Sequence, residues 1–338
     1  MTSNGFTLAD VRERTYKRRD SWWTVYLVDP LASRMVRAVA NRSSITPDHL
    51  TIGALLLGLG AAWSFSRGDS IGLVVGAVVF HVSFLLDCMD GKIARLKGNG
   101  TVFGSWLDYV FDRVRVLICT IGLMWGQYAS TGDAVFVWFA LAVVFTDMFR
   151  YLNSPQMAKV RKKMRRSQKS RIKYALMELG VEESRIQQAI GEKRFSELCP
   201  RIVADVDAGG DGDGEAEGRD IEEHQEQARK QYPSGSLAER FVFYARFREF
   251  LLRHRVRPHL FSGIEFQMGV FIVAPLVGTL FPVAMLWIIG ASCAGLLLFE
   301  AFIVTRLWQA TRRYEREKRA LDELIMNAPV PTAEEAGR

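Results

Sequence analysis

Asp87, Asp90, Asp108 and Asp112 lie in the stretch LLDCMDGKIARLKGNGTVFGSWLDYVFDRV, each beside a largely apolar run. Carboxylates in that setting carry a solvation cost that something must offset. Asp87, Asp90, Gly91 and Ala94 stand at relative positions zero, three, four and seven, which is one side of a helix. Asp108 and Asp112 are four apart and share one side of the next helix. A short connection over 96–103 makes the two helices an antiparallel pair and brings all four carboxylates together. Unpaired, they would repel one another at a membrane edge. Divalent ions remove that objection, and an oxygen-only ligand set suits Mg2+ or Mn2+ better than zinc. Carboxylates can bridge ions, so a two-metal site is possible. Ions held there would orient a pyrophosphate and withdraw charge from its leaving phosphate. Gly91, Ala94 and Gly104 have little bulk, which lets a nucleotide approach the helix backbone or lets the helices pack closely. Arg95 offers a phosphate-binding fork.

The elements that must position these residues are hydrophobic. Of the 338 residues 49% are hydrophobic, and they fall in long blocks that carry almost no charge. The expected fold is all-α: a polytopic membrane protein with six transmembrane helices over 50–66, 71–87, 104–125, 134–152, 264–280 and 283–306. The second helix continues through Arg95, which puts the aspartates partly outside hydrocarbon. Among the loops expected outside, only Arg67 is basic, whereas the other side carries the runs around 12–19, 92–97, 159–173 and 312–319. The positive-inside rule therefore places both termini and the aspartates in the cytosol of a multi-pass cell-membrane protein, of a bacterial kind. The start, 1–10, lacks the basic-then-apolar pattern of a cleaved signal peptide, so none is expected. The net charge is +7, but its placement beside apolar spans points to anionic lipid and phosphorylated substrates rather than nucleic acid. Cys88, Cys119, Cys199 and Cys293 show no metal-binding spacing and read as buried, reduced thiols.

Five regions follow: an N-terminal segment 1–49, four spans with the aspartates over 50–152, an insertion 153–258, two spans over 259–306 and a tail 307–338. In the first, Pro30 opens an N-terminal interfacial helix to about Asn41, with Leu31, Met35, Val36 and Val39 as its apolar stripe. Trp22, Trp23 and Tyr26 suit a lipid interface. Thr46 caps the first span, and Pro47 fits its first turn. The insertion reads as basic helix over 156–180, a second helix over 181–198, a flexible acidic linker over 205–218 and helix again over 238–254. The run GDGDGEAEG lacks the ligand pattern of a calcium loop.

The full pattern reads D-x2-D-G-x2-A-R-x8-G-x3-D-x3-D without a departure. It resembles the CDP-alcohol phosphotransferase family, also called the CDP-alcohol phosphatidyltransferases. The resemblance is strong over about 46–152 and topological over 264–306. It implies transfer of a phosphoalcohol group from a CDP-linked donor to an acceptor hydroxyl, with release of CMP. It also implies that Asp87, Asp90, Asp108 and Asp112 bind metal, that Asp112 acts as general base beside Asp108, and that Gly91, Ala94, Arg95 and Gly104 surround the CDP moiety. A carboxylate is a weak base, so the proton would move late in the reaction. The segment from Thr46 to Thr51, TPDHLT, is similar to the family's Thr-Pro-Asn-x-Leu-Thr, with Asp48 in place of the asparagine and Thr51 on the nucleotide side.

The acceptor must be recognised by later helices. Asp147, Arg150, Glu265, Glu300 and Arg306 fall at the expected depth of the aspartates, and ionisable side chains there favour function. Arg150, Arg306 and, from before the fifth span, Arg257 are candidates to bind an acceptor phosphate. A phosphorylated polyol such as inositol phosphate fits them, although related enzymes also use lipid or amino-alcohol acceptors. The stretch KRRDSWWTVYLVDPLA is similar to family members that use inositol phosphate. Membrane lipid and a second copy of the chain, as a homodimer, complete the expected partners. A transporter for metal or anionic solute would need a polar path across the bundle, and these acids gather at one edge. A catalytically idle scaffold would have no use for the complete motif.

Overall fold

The computed structural model describes residues 5–192, 194–196, 198, 249–257 and 261–328, and all the regular elements among them are helical. Helices α1 (Leu8–Thr15) and α2 (Asp29–Arg42) precede the bundle, α2 being entered through a π-helical turn, Thr24–Val28. Then come α3 (Pro47–Ser66), α4 (Ser70–Lys97), α5 (Val102–Thr131), α6 (Val135–Met177) and α7 (Glu183–Ile190). After the break, α8 (Gly263–Met268) passes through a π turn, Gly269–Val273, into α9 (Ala274–Gly278), and α10 (Pro282–Met326) closes the described chain. The expected linker over 205–218 and most of the helix expected over 238–254 lie outside the described residues, as does Cys199.

The chain is an all-α membrane-spanning protein. Helices α3, α4, α6 and α10 are long and apolar enough to cross a bilayer. The expected spans 104–125 and 264–280 are helical as well, in α5 and in the shorter apolar run Gly263–Gly278. Helix α5 has 30 residues, about 45 Å of helix, but its first half carries Asp108, Asp112, Arg113 and Arg115. The chain divides into two compact units, one of Met1–Leu152 with Phe243–Ala301, the other of Asn153–Val242 with Phe302–Arg338. This cuts across the expected insertion and tail, which contribute to one unit. Its core gathers Ile172, Ala175, Ile186, Ile190 and Leu321, with Arg171 paired to Asp322.

In the first unit, α3 packs against both α4 and α5. Two glycines permit the α3–α5 approach: a Cβ at Gly122 would lie 2.3 Å from Ala62 O, and one at Gly126 would lie 2.2 Å from Phe65 O. Helix α4 starts where Asp69 Oδ1 accepts the Gly72 N–H at 2.9 Å, a bond that holds this exposed carboxyl below the usual carboxylate range. It ends at Gly98, whose φ of 63° is the left-handed conformation that glycine adopts without a Cβ penalty.

Three sequence expectations are revised. Helix α4 runs through Lys97 and α5 starts at Val102, so the connection is shorter than 96–103. Helix α6 does not stop at Leu152 but passes Pro155 to Met177. Pro155 removes one backbone donor and crowds the carbonyl one turn earlier, and the helix continues past it. In α2, Val36 is buried and Met35 and Val39 pack against the core, but Leu31 faces outward with Tyr26 and Leu27. Trp23 also turns inward, edge-on to His81 at 6.1 Å.

Replacing Gly126 with alanine drives a methyl group into the α3 backbone, which cannot rotate away. The expected result is a loss of about 1–3 kcal/mol of stability, read as a lower thermal midpoint of the detergent-solubilised protein.

Candidate active site

The aspartates of α4 and α5 line one cleft of about 370 Å3 in the first unit. Asp87, Asp90 and Asp108 each offer an oxygen, all within 4.8 Å of one another. Asp90 is buried, and its Oδ2 accepts the Thr51 hydroxyl at 2.6 Å, so α3 orients an α4 carboxylate. Three converging carboxylates with no nitrogen or sulfur ligand fit a hard divalent ion such as Mg2+ or Mn2+.

Asp112 also lines the cleft, but its oxygens face protein donors. Arg115 pairs with Asp112 and, at 3.0 Å, with Asp87. Arg113 reaches Asp112 at 3.2 Å, and the Tyr151 hydroxyl donates to it at 3.0 Å. Arg113 also pairs with Asp147 and lies over the Tyr151 ring, 3.1 Å from its centroid. Gln267 adds a bond to Asp147 at 3.3 Å. An ion pair therefore ties α5 to α6, and the Gln267 amide joins α6 to α8.

Gly91 and Arg95 line the cleft, whereas Thr51, Ala94 and Gly104 do not. Arg95 is exposed and has no carboxylate partner among the described residues. Gly104 accommodates Asp48: a Cβ there would lie 2.5 Å from Asp48 Oδ1. The small residue thus serves close approach of Asp48 to α5.

Of the acceptor candidates, Arg150 and Arg257 line the cleft. Arg150 pairs with Glu300 at 2.8 Å and fits over Gly263, where a Cβ would lie 2.5 Å from its Nε. Arg257 pairs with Asp20 at 3.6 Å. Arg306 falls in the second unit. Glu265 is buried and accepts the Ser262 hydroxyl at 2.7 Å, a side-chain bond within the first turn of α8.

The sequence reading missed the strap that forms another wall. Residues 15–29 line the cleft through Thr15, Lys17, Asp20, Thr24 and Asp29. Asp20 pairs in parallel with Val256, bonded to Arg255 O and from Arg257 N at 2.9 and 3.0 Å. Arg255, at a φ of 61°, donates to Lys17 O at 2.8 Å and stacks on Tyr16 at 4.2 Å. Lys92 of α4 pairs with Asp29 at 2.9 Å, both side chains buried. Lys92 sits within the motif, but no local pattern links it to a residue 63 positions earlier. Arg115 did carry a signal, since it stands one turn after Asp112.

A protein-family model described as CDP-alcohol phosphatidyltransferase matches residues 44–181. The archaetidylinositol phosphate synthase of Methanothermobacter thermautotrophicus is 29% identical over 101 residues, 30% of this chain and 50% of that protein. The phosphatidylinositol phosphate synthase of Mycolicibacterium smegmatis is 32% identical over 136 residues, 38% and 60% respectively. A crystal structure of the Mycobacterium tuberculosis phosphatidylinositol phosphate synthase with CDP-DAG bound overlaps at a TM-score of 0.35 and 27% identity, over 39% of this chain and 64% of that one. The chain spans about half the length of the curated relatives it matches.

The Thr51–Asp90 bond generates a prediction. Thr51→Val keeps the shape of the side chain but removes the donor. It should weaken Mn2+ binding about tenfold, as loss of a group that orients a metal ligand does, measured by calorimetry on the purified protein. The matched stretch, 44–181, contains the complete aspartate motif and most of the residues that surround it, and over that stretch the chain is similar to the CDP-alcohol phosphatidyltransferase family.

Proposed function

We propose that this protein transfers a phosphoalcohol group from a CDP-linked donor to an acceptor hydroxyl, releasing CMP, and that the acceptor is a phosphorylated polyol of the inositol phosphate kind. The observation that carries the reaction class is the convergence of Asp87, Asp90 and Asp108 in a cleft that also holds Asp112 and cationic side chains. The acceptor reading is supported by Arg150 and Arg257 in that cleft and by the names of the relatives, which are inositol phosphate lipid synthases.

In this reading Asp87, Asp90, Asp108 and Asp112 hold Mg2+ or Mn2+, two ions when fully loaded, which supply charge neutralisation at the donor pyrophosphate. Arg95, exposed at the cleft, binds donor phosphate with its fork. Gly91 leaves room for the nucleotide. Arg150 and Arg257 bind the acceptor phosphate. Asp112 takes the proton from the attacking hydroxyl. Tyr151 and the two arginines around Asp112 fix the direction in which that carboxylate points.

The wider arrangement belongs to the same proposal. The bundle crosses the cell membrane six times, with α5 and the Gly263–Gly278 run as the further spans beside the four long apolar helices. The basic runs keep the cleft and both ends in the cytosol. The outward row of Tyr26, Leu27 and Leu31 supports an interfacial position for α2, and the protein works as a homodimer.

The test is CMP release by purified protein over a panel of CDP-linked donors and acceptors, with mass spectrometry of the joined product. Turnover should require Mg2+ or Mn2+, and Asp108→Asn should lower it at least about 100-fold, the several kcal/mol a lost metal contact removes. Arg150→Ala should raise the KM of a phosphorylated acceptor about tenfold, through loss of a charged hydrogen bond, and leave the donor KM nearly unchanged. Full turnover after chelation would refute the metal role. Product from neutral acceptors alone would refute the phosphate pocket and leave the reaction class standing.

A further inference from the structure

Among the described residues Arg115 is the most enclosed cation of the first unit, with 2% of its surface exposed. Its position is built. Opposite it on α3 stands Gly58, where a Cβ would lie 2.7 Å from Arg115 Cγ, so any larger residue would push the arginine stem aside. Its terminal nitrogens go one to Asp87 and one to Asp112, while Nε has no hydrogen-bond partner among the described residues. A buried guanidinium with an unpaired nitrogen costs several kcal/mol unless strong anionic partners offset it. Asp87 and Asp112 are those partners.

Asp87 belongs to two sets at once. It joins Asp90 and Asp108 in the carboxylate triad, and it joins Asp112 around Arg115. A divalent ion in the triad and the guanidinium are then two positive charges that share one carboxylate, and they repel. Asp112 lies on the guanidinium's side only. The cluster is therefore unsymmetrical: one side is open to an ion, and the other already holds a cation that is part of the chain.

We propose that Arg115 is a positioning residue that acts as a tethered counter-cation, filling the Asp87–Asp112 side of the cluster, so that the resting protein binds one divalent ion at Asp87, Asp90 and Asp108. An ion on the Asp112 side has to displace the guanidinium from at least one carboxylate. This rests on the metal reading given above and adds an order of loading to it: the triad fills first, and the Asp112 side opens only when Arg115 moves. It also gives Arg115 a second task, to hold α4 and α5 together before any ion arrives.

The experiment adds MnCl2 to purified, chelator-treated protein and counts bound ions by calorimetry and by electron paramagnetic resonance, with no nucleotide present. Wild type should bind one ion per chain. Arg115→Met, which keeps bulk and loses charge, should bind Mn2+ about tenfold more tightly and take up a second ion. Arg115→Lys keeps the charge but cannot bridge two carboxylates, so it should fall between the two. Without metal, Arg115→Met should melt below wild type, and Mn2+ should raise its midpoint by more than it raises that of wild type. If Arg115→Met does not fold, Arg115→Lys alone decides the matter by its affinity and ion count. Equal affinity and equal stoichiometry in all three proteins would overturn the tethered-cation role while leaving metal binding intact. Weaker binding after loss of Arg115 would overturn it too, and would make the residue a scaffold for the ligands. Failure of wild type to bind Mn2+ would remove the metal reading itself.

Discussion

Asp87 and Asp112 share one guanidinium, and through it the charged halves of α4 and α5 are joined. Carboxylates gathered under an apolar bundle are unstable as a bare group. Removing one partner of a buried ion pair costs about 3–5 kcal/mol because the other charge is left uncompensated. That cost accounts for much of the surrounding arrangement. Most of the acids near the cleft have a cation or a donor aimed at them: Asp90 has Thr51, Asp112 has Arg113, Arg115 and Tyr151, and Asp147 has Arg113 and Gln267. Glu300 has Arg150, and Asp29 has Lys92 and Arg255.

These pairs also fix the order of the elements. Helix α3 can orient Asp90 and leave room for Arg115 only because it packs against both α4 and α5, and the small residues Gly58, Gly122 and Gly126 allow that approach. The strap from residues 15–29 reaches α4 through the Asp29–Lys92 pair and reaches the segment before α8 through Asp20 and Arg255. It covers part of the cleft with residues that precede the family match at 44–181. Lys17 on that wall adds a positive charge to the cleft.

The carboxylates were legible because helical periodicity turns spacings of three and four into a shared face, and the elements that carry them form as expected. The orientation of Asp90 by Thr51 was not legible, since TPDHLT and the motif are separate runs and their meeting depends on how α3 crosses α4. Thr51 and Gly104 were read as lying against nucleotide. In the structure one hydroxyl serves a carboxylate, and one missing side chain serves Asp48. Arg113 and Arg115 are local to Asp112, but their pairing with Asp147 and Asp87 depends on how α5 meets α6 and α4. The expected boundary at Leu152 falls short because the span and the basic helix expected over 156–180 are one continuous helix that passes through Pro155.

In the proposed reaction the carboxylates of α4 and α5 bring a divalent ion to the donor pyrophosphate. Phosphorus NMR of a CDP-linked donor bound to the purified protein tests this directly, since Mn2+ broadens the signals of phosphates close to it. In wild type, sub-stoichiometric Mn2+ should broaden both pyrophosphate resonances, and Asp90→Asn should abolish the effect while the protein stays folded. A donor that binds wild type with its pyrophosphate signals sharp at saturating Mn2+ would rule out a divalent ion beside the pyrophosphate.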